Sequence, residues 1–277
     1  HISDPAVSST PGIFGSFFGP DPLSLLSVVI LTSLGTWGLP QMVQKFYAID
    51  NEDSIKKGTI ISTIFALVVS GGCYFLGGFG RLFSDKIDIA ANGYDSIIPT
   101  MLENLHPLLI ALVVILVLSA SMSTLSSLVI ASSSTLTIDL IKDNIVKEMS
   151  DKKQVFCIRV LIVIFIAISA IIAIIQYKSA VTFIAQLMGI SWGALAGSFL
   201  APFLYSLYWK KTTKAACWTS FIFGCIIMVL NLVAGSHFPA LLQSPINCGA
   251  FAMLAGLIIV PVVSLFTKKP DTALIEN

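Results

Sequence analysis

Charge is what this sequence has least of. Asp, Glu, Lys and Arg make up 11% of its 277 residues, against 56% hydrophobic residues and a mean hydropathy of +0.91. Soluble domains carry about 25% charged residues, so a chain this depleted lacks the polar surface to cover itself in water. The few charges nearly balance, 16 basic against 15 acidic, and no basic patch is large enough to suggest nucleic acid as a partner. Cysteine is also sparse. Cys73, Cys157, Cys217, Cys225 and Cys248 contain no C-x-x-C pair and read as small buried hydrophobes. Of three histidines, His106 and His237 lie near the ends of apolar tracts, outside any recognisable dyad. An intramembrane serine protease needs a base beside its nucleophile, so no enzyme is expected here, and no organic cofactor. No acid or base falls in the middle of an apolar tract, which disfavours a proton relay of buried carboxylates in this segment.

What is abundant is uncharged length. About 20 apolar residues cross a bilayer as a helix. Such tracts occupy 22–44, 58–80, 104–138, 160–177 and 179–209, and the uncharged stretch 215–267 is long enough for two. Membrane strands alternate apolar and polar residues over about ten positions, whereas these runs are continuous. The expectation is an all-α, multi-pass integral membrane protein with about seven transmembrane helices.

The basic residues test that count. With seven spans, one side of the membrane holds Lys45, Lys56, Lys57, Lys142, Lys147, Lys152, Lys153, Arg159, Lys210, Lys211, Lys214, Lys268 and Lys269. The other side holds Arg81, Lys86 and Lys178. The positive-inside bias makes the first set cytoplasmic. Residues 1–21 then lie outside a plasma membrane and the tail TKKPDTALIEN lies inside. The chain opens on His1, and 1–21 lack the basic and apolar parts of a signal peptide, so it reads as a piece of a longer one.

Two tracts are not simply greasy. The first span contains GTWGLP, with Gly35, Gly38 and Pro40 near its middle. Proline removes a backbone donor and clashes with the preceding turn, so either a kink or a true break is expected. A break is tolerated at membrane depth only inside protein or beside a water-filled cavity. In the second span, Gly71, Gly72, Gly77 and Gly78 are expected to allow close helix packing.

The third span carries LSASMSTLSSLVIASSSTLT at 118–137, eleven Ser and Thr hydroxyls in twenty residues. On a helix Ser119, Ser123 and Ser127 share one ridge, with Ala120 and Thr124 on the next. One reading is tight helix packing, the hydroxyls bonding back to carbonyls one turn earlier. The other is a site for a hard alkali cation, because hydroxyls and a backbone carbonyl can hold Na⁺ without a carboxylate.

Three motifs together resemble a known family. GLPQMVQKFYA at 38–48 resembles the G-x-P-x-x-x-x-[RK]-[FY]-x-A signature of the sodium:solute symporters, with Lys45 where many members have arginine. LSASMSTLSSLVIASSSTLTIDLI at 118–141 is similar to that family's A-x-x-S-[ST]-x-[SN] helix. GISWGALAGSFLAPFLYSLYWKKTT at 189–213 resembles a helix of the proline and pantothenate branches that ends in a basic turn after tryptophan. The three keep order and spacing over residues 22–267.

The resemblance implies the C-terminal part of a transporter with a five-plus-five inverted-repeat fold. Residues 1–21 become an extracellular segment and 22–208 the second repeat, core helices six to ten, with a broken helix near 35–40. Residues 209–277 become two peripheral helices and a cytoplasmic tail. It implies Na⁺-coupled symport of a small organic solute, an amino acid, vitamin or organic acid, by alternating access. A same-fold transporter coupled to H⁺ or uncoupled, and a membrane sensor that has lost transport, stand as alternatives. Carried over by position, the Na⁺ ligands are the Ala120 carbonyl and the Ser123 and Thr124 hydroxyls. The remaining ligands belong to the partner broken helix of an N-terminal half that this sequence does not contain. Solute contacts fall on Thr36, Trp37 and Gly38, shaped by Gly35 and Pro40, and on Gln186. Thr36 stands where the proline branch has an aromatic, and Leu39 replaces a polar residue. GGFGRLF followed by YDSIIPTML looks more like the pantothenate branch.

Overall fold

The protein is described by a computed structural model covering residues 12–43, 49, 51–86, 93–146, 148–179 and 184–268. Lys45 and the rest of the signature at 44–48, together with residues 1–11, Lys147 and the tail from 269, lie outside the described residues. Every regular element among the described residues is helical. They are α1 (Pro22–Ser33), α2 (Pro40–Val43), α3 (Glu52–Gly78), α4 (Ile97–Leu102), α5 (Pro107–Thr135), α6 (Asp151–Ser179), α7 (Ile184–Tyr208), α8 (Lys214–Ala234), α9 (Ala240–Gln243) and α10 (Pro245–Phe266). A π-helix, Leu136–Ile145, continues α5.

Among the described residues six stretches are long and apolar enough to span a bilayer: Glu52–Phe83, Pro107–Ile145, Asp151–Ile175, Gln186–Tyr208, Lys214–His237 and Pro245–Phe266. The remaining tract of the seven is α1, an apolar helix of 12 residues that is too short to cross by itself. Large apolar side chains stand open along the long helices, Phe65 at 68%, Leu116 at 69% and Val163 at 66% exposure. Exposed apolar surface of this extent marks faces that meet lipid or other protein.

The helices fall into two compact units. One holds α1, α2, the part of α3 up to Gly71, and α7 to α10. Its centre is a three-helix contact built on glycine. A Cβ on Gly193 of α7 would lie 2.7 Å from the Gly249 Cα of α10 and 2.9 Å from the Met228 Cε of α8. A Cβ on Gly224 of α8 would lie 2.6 Å from the carbonyl carbon of Gly197, and one on Gly197 itself 2.8 Å from the Ala252 Cβ. Small residues let backbones approach where lipid supplies no hydrophobic drive between helices. The expected close packing at Gly71, Gly72, Gly77 and Gly78 is not found among the described residues, where a Cβ on any of them meets nothing within 4 Å.

The contacts also give helix directions. On α7 and α10, Gly189 meets Ile246, Gly193 meets Gly249 and Gly197 meets Ala252, so the two run parallel. On α8 the partners fall in number as α7 rises, Met228 for Gly193 and Gly224 for Gly197, so α8 is antiparallel. The segment from α1 runs parallel to α7, Gly35 beside Trp192 and Ala196 and Gly38 beside Ala196 and Leu200. Parallel spans need an odd number of crossings between them, and α3, α5 and α6 supply three.

Polar clamps fix both ends of this unit. At one end Asn231 Nδ2 donates to the Leu242 carbonyl at 2.7 Å, and Asn247 Nδ2 donates to the Leu241 carbonyl at 2.9 Å. At the other, Thr213 and Thr267 share a hydroxyl hydrogen bond of 2.6 Å, and the Tyr205 hydroxyl donates to the Leu257 carbonyl at 2.8 Å. Gly193→Val is expected to lower thermal stability in detergent and reduce the folded yield. Inserting methyls against backbone costs about 1–3 kcal/mol or more. Gly71→Ala, with open space around it, is expected to match the parent in the same melting assay.

The second unit holds α3 from Gly72, then α4, α5, the π-helix and α6. Within it α5 packs on α6. Val129, Ser133 and Thr137, four residues apart, form the buried stripe of that segment.

Candidate functional site

The residues expected to carry site chemistry fall into two groups, each described within its own unit. The first is the interruption after α1. Helix α1 starts cleanly, with Pro22 at its first position and the Asp21 side chain accepting from the Ser24 N–H at 3.1 Å. Hydrogen bonds from the Ser24 side chain and backbone hold the Asp21 carboxyl below its ordinary value. The helix ends at Leu34, whose N–H still reaches the Ile30 carbonyl at 2.9 Å. A 3₁₀ turn follows over Gly35–Gly38, then Leu39 is extended at φ −88° and ψ 114°. The ring of Pro40 drives the preceding residue out of the helical region, so this is a break and not a kink in a continuous helix. Pro40 then opens α2.

What makes the break a surface against α7 is Gly38. A Cβ there would sit 2.9 Å from the Ala196 Cα and from the Leu200 Cβ. Gly38 and Leu39 are buried, Thr36 is half-buried and Trp37 is 55% exposed. The Thr36 hydroxyl donates to the Ser33 carbonyl at 3.0 Å and so ties the turn to the end of α1. Gln186 is half-buried on the first turn of α7. It precedes Ala196 by ten residues, about 15 Å of helix, so it stands apart from the Gly38 contact. Trp192 stands at the break: its ring lies 3.8 Å from where a Cβ on Gly35 would be. Sequence reasoning did not choose Trp192. The available signal was a tryptophan four residues before Ala196 in an unusually polar span.

The second group lies on α5. Ala120, Ser123 and Thr124 are all exposed, on adjacent sectors of one helix face. Their neighbours Ser126 and Ser127 are committed to the backbone. Ser126 Oγ donates to the Met122 carbonyl at 2.7 Å, and Ser127 Oγ donates to the Ser123 carbonyl at 2.9 Å and the Thr124 carbonyl at 3.0 Å. Among the described residues the Ser123 and Thr124 hydroxyls make no hydrogen bond. Their oxygens, with the second lone pair of the Ala120 carbonyl, form a neutral oxygen set open to a ligand. Among the described residues no three His, Cys, Asp or Glu side chains gather where they could hold a metal ion. A neutral set of this kind suits a singly charged hard cation better than a divalent one.

The later hydroxyls of the tract differ. Ser133 and Thr137 are fully buried and their hydroxyls have no partner among the described residues. They flank the change from α-helix to π-helix, where the Leu136 N–H is shared between the Ser132 and Ser133 carbonyls. The tract is thus split, with Ser123 and Thr124 open in its front half and Ser133 and Thr137 buried in its back half.

The family model described as "SSF: Sodium:solute symporter family" matches residues 16–224. The chain is 25% identical over 264 residues to the osmoregulated proline transporter OpuE of Bacillus subtilis, covering 95% of this chain and 52% of that protein. It is 27% identical to the high-affinity proline transporter PutP of Bacillus subtilis, covering 98% and 55%. It is 28% identical to the sodium/proline symporter of Staphylococcus aureus, covering 90% and 49%. The chain spans about half the length of the curated relatives it matches. No solved structure matches it.

Proposed function

The chain belongs to the sodium:solute symporter family, and on that premise we propose that it forms part of a secondary active transporter driving uptake of a small organic solute with Na⁺. The observation that carries the reading is the pair of uncommitted hydroxyls at Ser123 and Thr124 beside two serines that have bonded back. In this reading Na⁺ binds the Ala120 carbonyl, Ser123 Oγ and Thr124 Oγ1, and the remaining ligands come from a first inverted repeat outside residues 1–277. The solute contacts the break at Thr36, Trp37 and Gly38, with Gly35 and Pro40 setting its shape, Trp192 lining it and Gln186 farther along α7. Residues 22–208 act as the second repeat and 209–277 as its periphery, in a plasma membrane with the lysine-rich loops and the C-terminus cytoplasmic.

Coupling needs no direct contact between the two ligands. If both prefer one conformation, each raises the other's affinity through the shared equilibrium. With an inside-negative potential, one Na⁺ contributes about 2.3 kcal/mol per 100 mV to solute accumulation. H⁺ coupling needs a titrating group in the pathway, and the middles of these spans hold no Asp, Glu, His, Lys or Arg.

The relatives' names make proline the first solute to test. Thr36 and Leu39 depart from the proline branch, so a related amino acid or a vitamin such as pantothenate stands as the second arm. Uptake by the intact protein in vesicles is expected to fall at least about tenfold when Na⁺ is replaced by choline at fixed pH. Unchanged uptake in choline contradicts Na⁺ coupling, and uptake restored by a pH gradient alone assigns the coupling to H⁺.

A further inference from the structure

The connection between α7 and α8 carries a feature that the transport reading does not use. A groove of about 380 Å³ opens between the two helices, lined by Phe199, Pro202, Lys214, Cys217, Trp218 and Phe221. That volume lies in the ~300–1,000 Å³ range of ligand clefts. Its wall is a continuous aromatic run, with Phe199 and Phe221 ring centroids 5.3 Å apart and Trp218 and Phe221 5.8 Å apart, each pair edge to face. Ser198 also lines the groove, but its hydroxyl is spent on the Ala194 carbonyl at 2.6 Å, and Pro202 contributes a ring and no N–H, so the groove presents little free polarity along α7.

Charge is confined to one end. Lys214 lines the groove where α8 begins, about 10 Å of helix from Phe221, and Lys210 and Lys211 are exposed in the preceding turn. Lys268 joins them. The Thr213 and Thr267 hydroxyls are bonded at 2.6 Å and the Thr213 N–H donates to Ser264 Oγ at 3.3 Å, which brings the end of α10 to the start of α8. Counter-charge is sparse in the sequence around these four lysines: from Lys152 to Pro270 there is no Asp or Glu, and the first carboxylate after Lys268 is Asp271. Among the described residues none of the four is paired with a carboxylate. Trp218, 56% exposed and one turn from Lys214, is the amphipathic residue expected at a membrane–water boundary.

We propose that this groove binds an anionic glycerophospholipid from the bilayer, its phosphate among Lys210, Lys211, Lys214 and Lys268 and an acyl chain along Phe199, Pro202 and Phe221. The apolar part selects a lipid over a soluble anion, and the lysines select an anionic headgroup over a zwitterionic one. Basic pockets between membrane helices recognise anionic headgroups in this way. The lipid would cover the seam between α7 and α8, the helices that carry the Gly197–Gly224 contact.

A photoreactive benzophenone side chain placed at Trp218 of the intact membrane protein reports what fills the groove. In vesicles with equal phosphatidylglycerol and phosphatidylcholine, the ratio of the two crosslinked lipids is expected to be at least about fivefold higher at Trp218 than at Val229, an exposed position toward the far end of α8. In the Lys210→Gln, Lys211→Gln, Lys214→Gln variant it falls to the Val229 level. The same probe at Phe199, on the facing wall, gives the same enrichment. Equal ratios at Trp218 and Val229 overturn the proposal. So does an enrichment that survives loss of the three lysines, and so does crosslinking to protein in place of lipid.

Discussion

Replacing Ser123 and Thr124 together by alanine raises the Na⁺ concentration for half-maximal solute uptake by about ten- to a hundredfold, with membrane expression unchanged. A hydrogen-bond-strength contact to a charged group is worth about 1.5–3 kcal/mol. Losing two such contacts to a bound cation, partly offset by water entering the space, leaves a net loss of about 1.4–2.8 kcal/mol, a factor of ten for each 1.4 kcal/mol. Expression is insensitive because both side chains are exposed on α5 and neither holds another element in place. Ser127→Ala is the matched control. Its hydroxyl is committed to the Ser123 and Thr124 carbonyls, so its removal leaves the Na⁺ dependence within about twofold of the parent. A double variant with the parent's Na⁺ dependence refutes the ligand assignment.

Gly38→Val is expected to reduce the maximal rate of solute uptake at least about tenfold at equal surface abundance. The first atom of any side chain at this position falls 2.9 Å from the Ala196 Cα, a backbone atom that cannot step aside as a flexible side chain can. The break must then lift from α7, which moves Trp37 and Thr36 with it. Overpacking of this kind costs about 1–3 kcal/mol or more, and the loss falls on the one place where the helix is interrupted. Gly77→Ala provides the contrast, since a Cβ there meets nothing within 4 Å among the described residues. It is expected to keep near-parental uptake. Comparable rates for Gly38→Val and the parent contradict the role given to the break.

The sequence made some of this architecture legible and hid the rest, for identifiable reasons. Long uncharged tracts announce spanning helices because the bilayer imposes a length that soluble helices do not share. The GTWGLP break was readable because proline acts on its own neighbour: whatever the tertiary setting, Leu39 is pushed toward an extended backbone. Helix packing was not readable in the same way. In a chain apolar on all sides, the 3.6-residue period that marks the buried face of a soluble helix carries no contrast. A glycine facing open space then looks the same as one pressed against a backbone. Gly71, Gly72, Gly77 and Gly78 drew attention as a cluster, whereas the close contacts fell to Gly193, Gly197 and Gly224, spread over the consecutive helices α7 and α8.

The hydroxyl tract shows the same limit at finer grain. Eleven hydroxyls in twenty residues left two readings open, packing and cation binding, with packing the commoner use of such a stretch. Ser126 and Ser127 satisfy themselves on the preceding turn, Ser133 and Thr137 are fully buried, and the hydroxyls at Ser123 and Thr124 are left open. Separating these groups required knowing which positions of the helix are buried. Gln186 was chosen for its polarity, whereas Trp192, farther along α7, is the side chain that lies beside the break.

The central claim is that Na⁺ and solute cross together through this fold, and the most direct measurement is the reciprocal flux. Proteoliposomes of the intact transporter are given an inward solute gradient, equal low Na⁺ on both sides, fixed pH and no membrane potential. Entry of radioactive sodium is then followed, beginning with proline as the solute. The account predicts sodium entry that rises with the imposed solute gradient and is lost in the Ser123→Ala, Thr124→Ala variant at the same sodium concentration. Solute entering at its full rate with no accompanying sodium would contradict it.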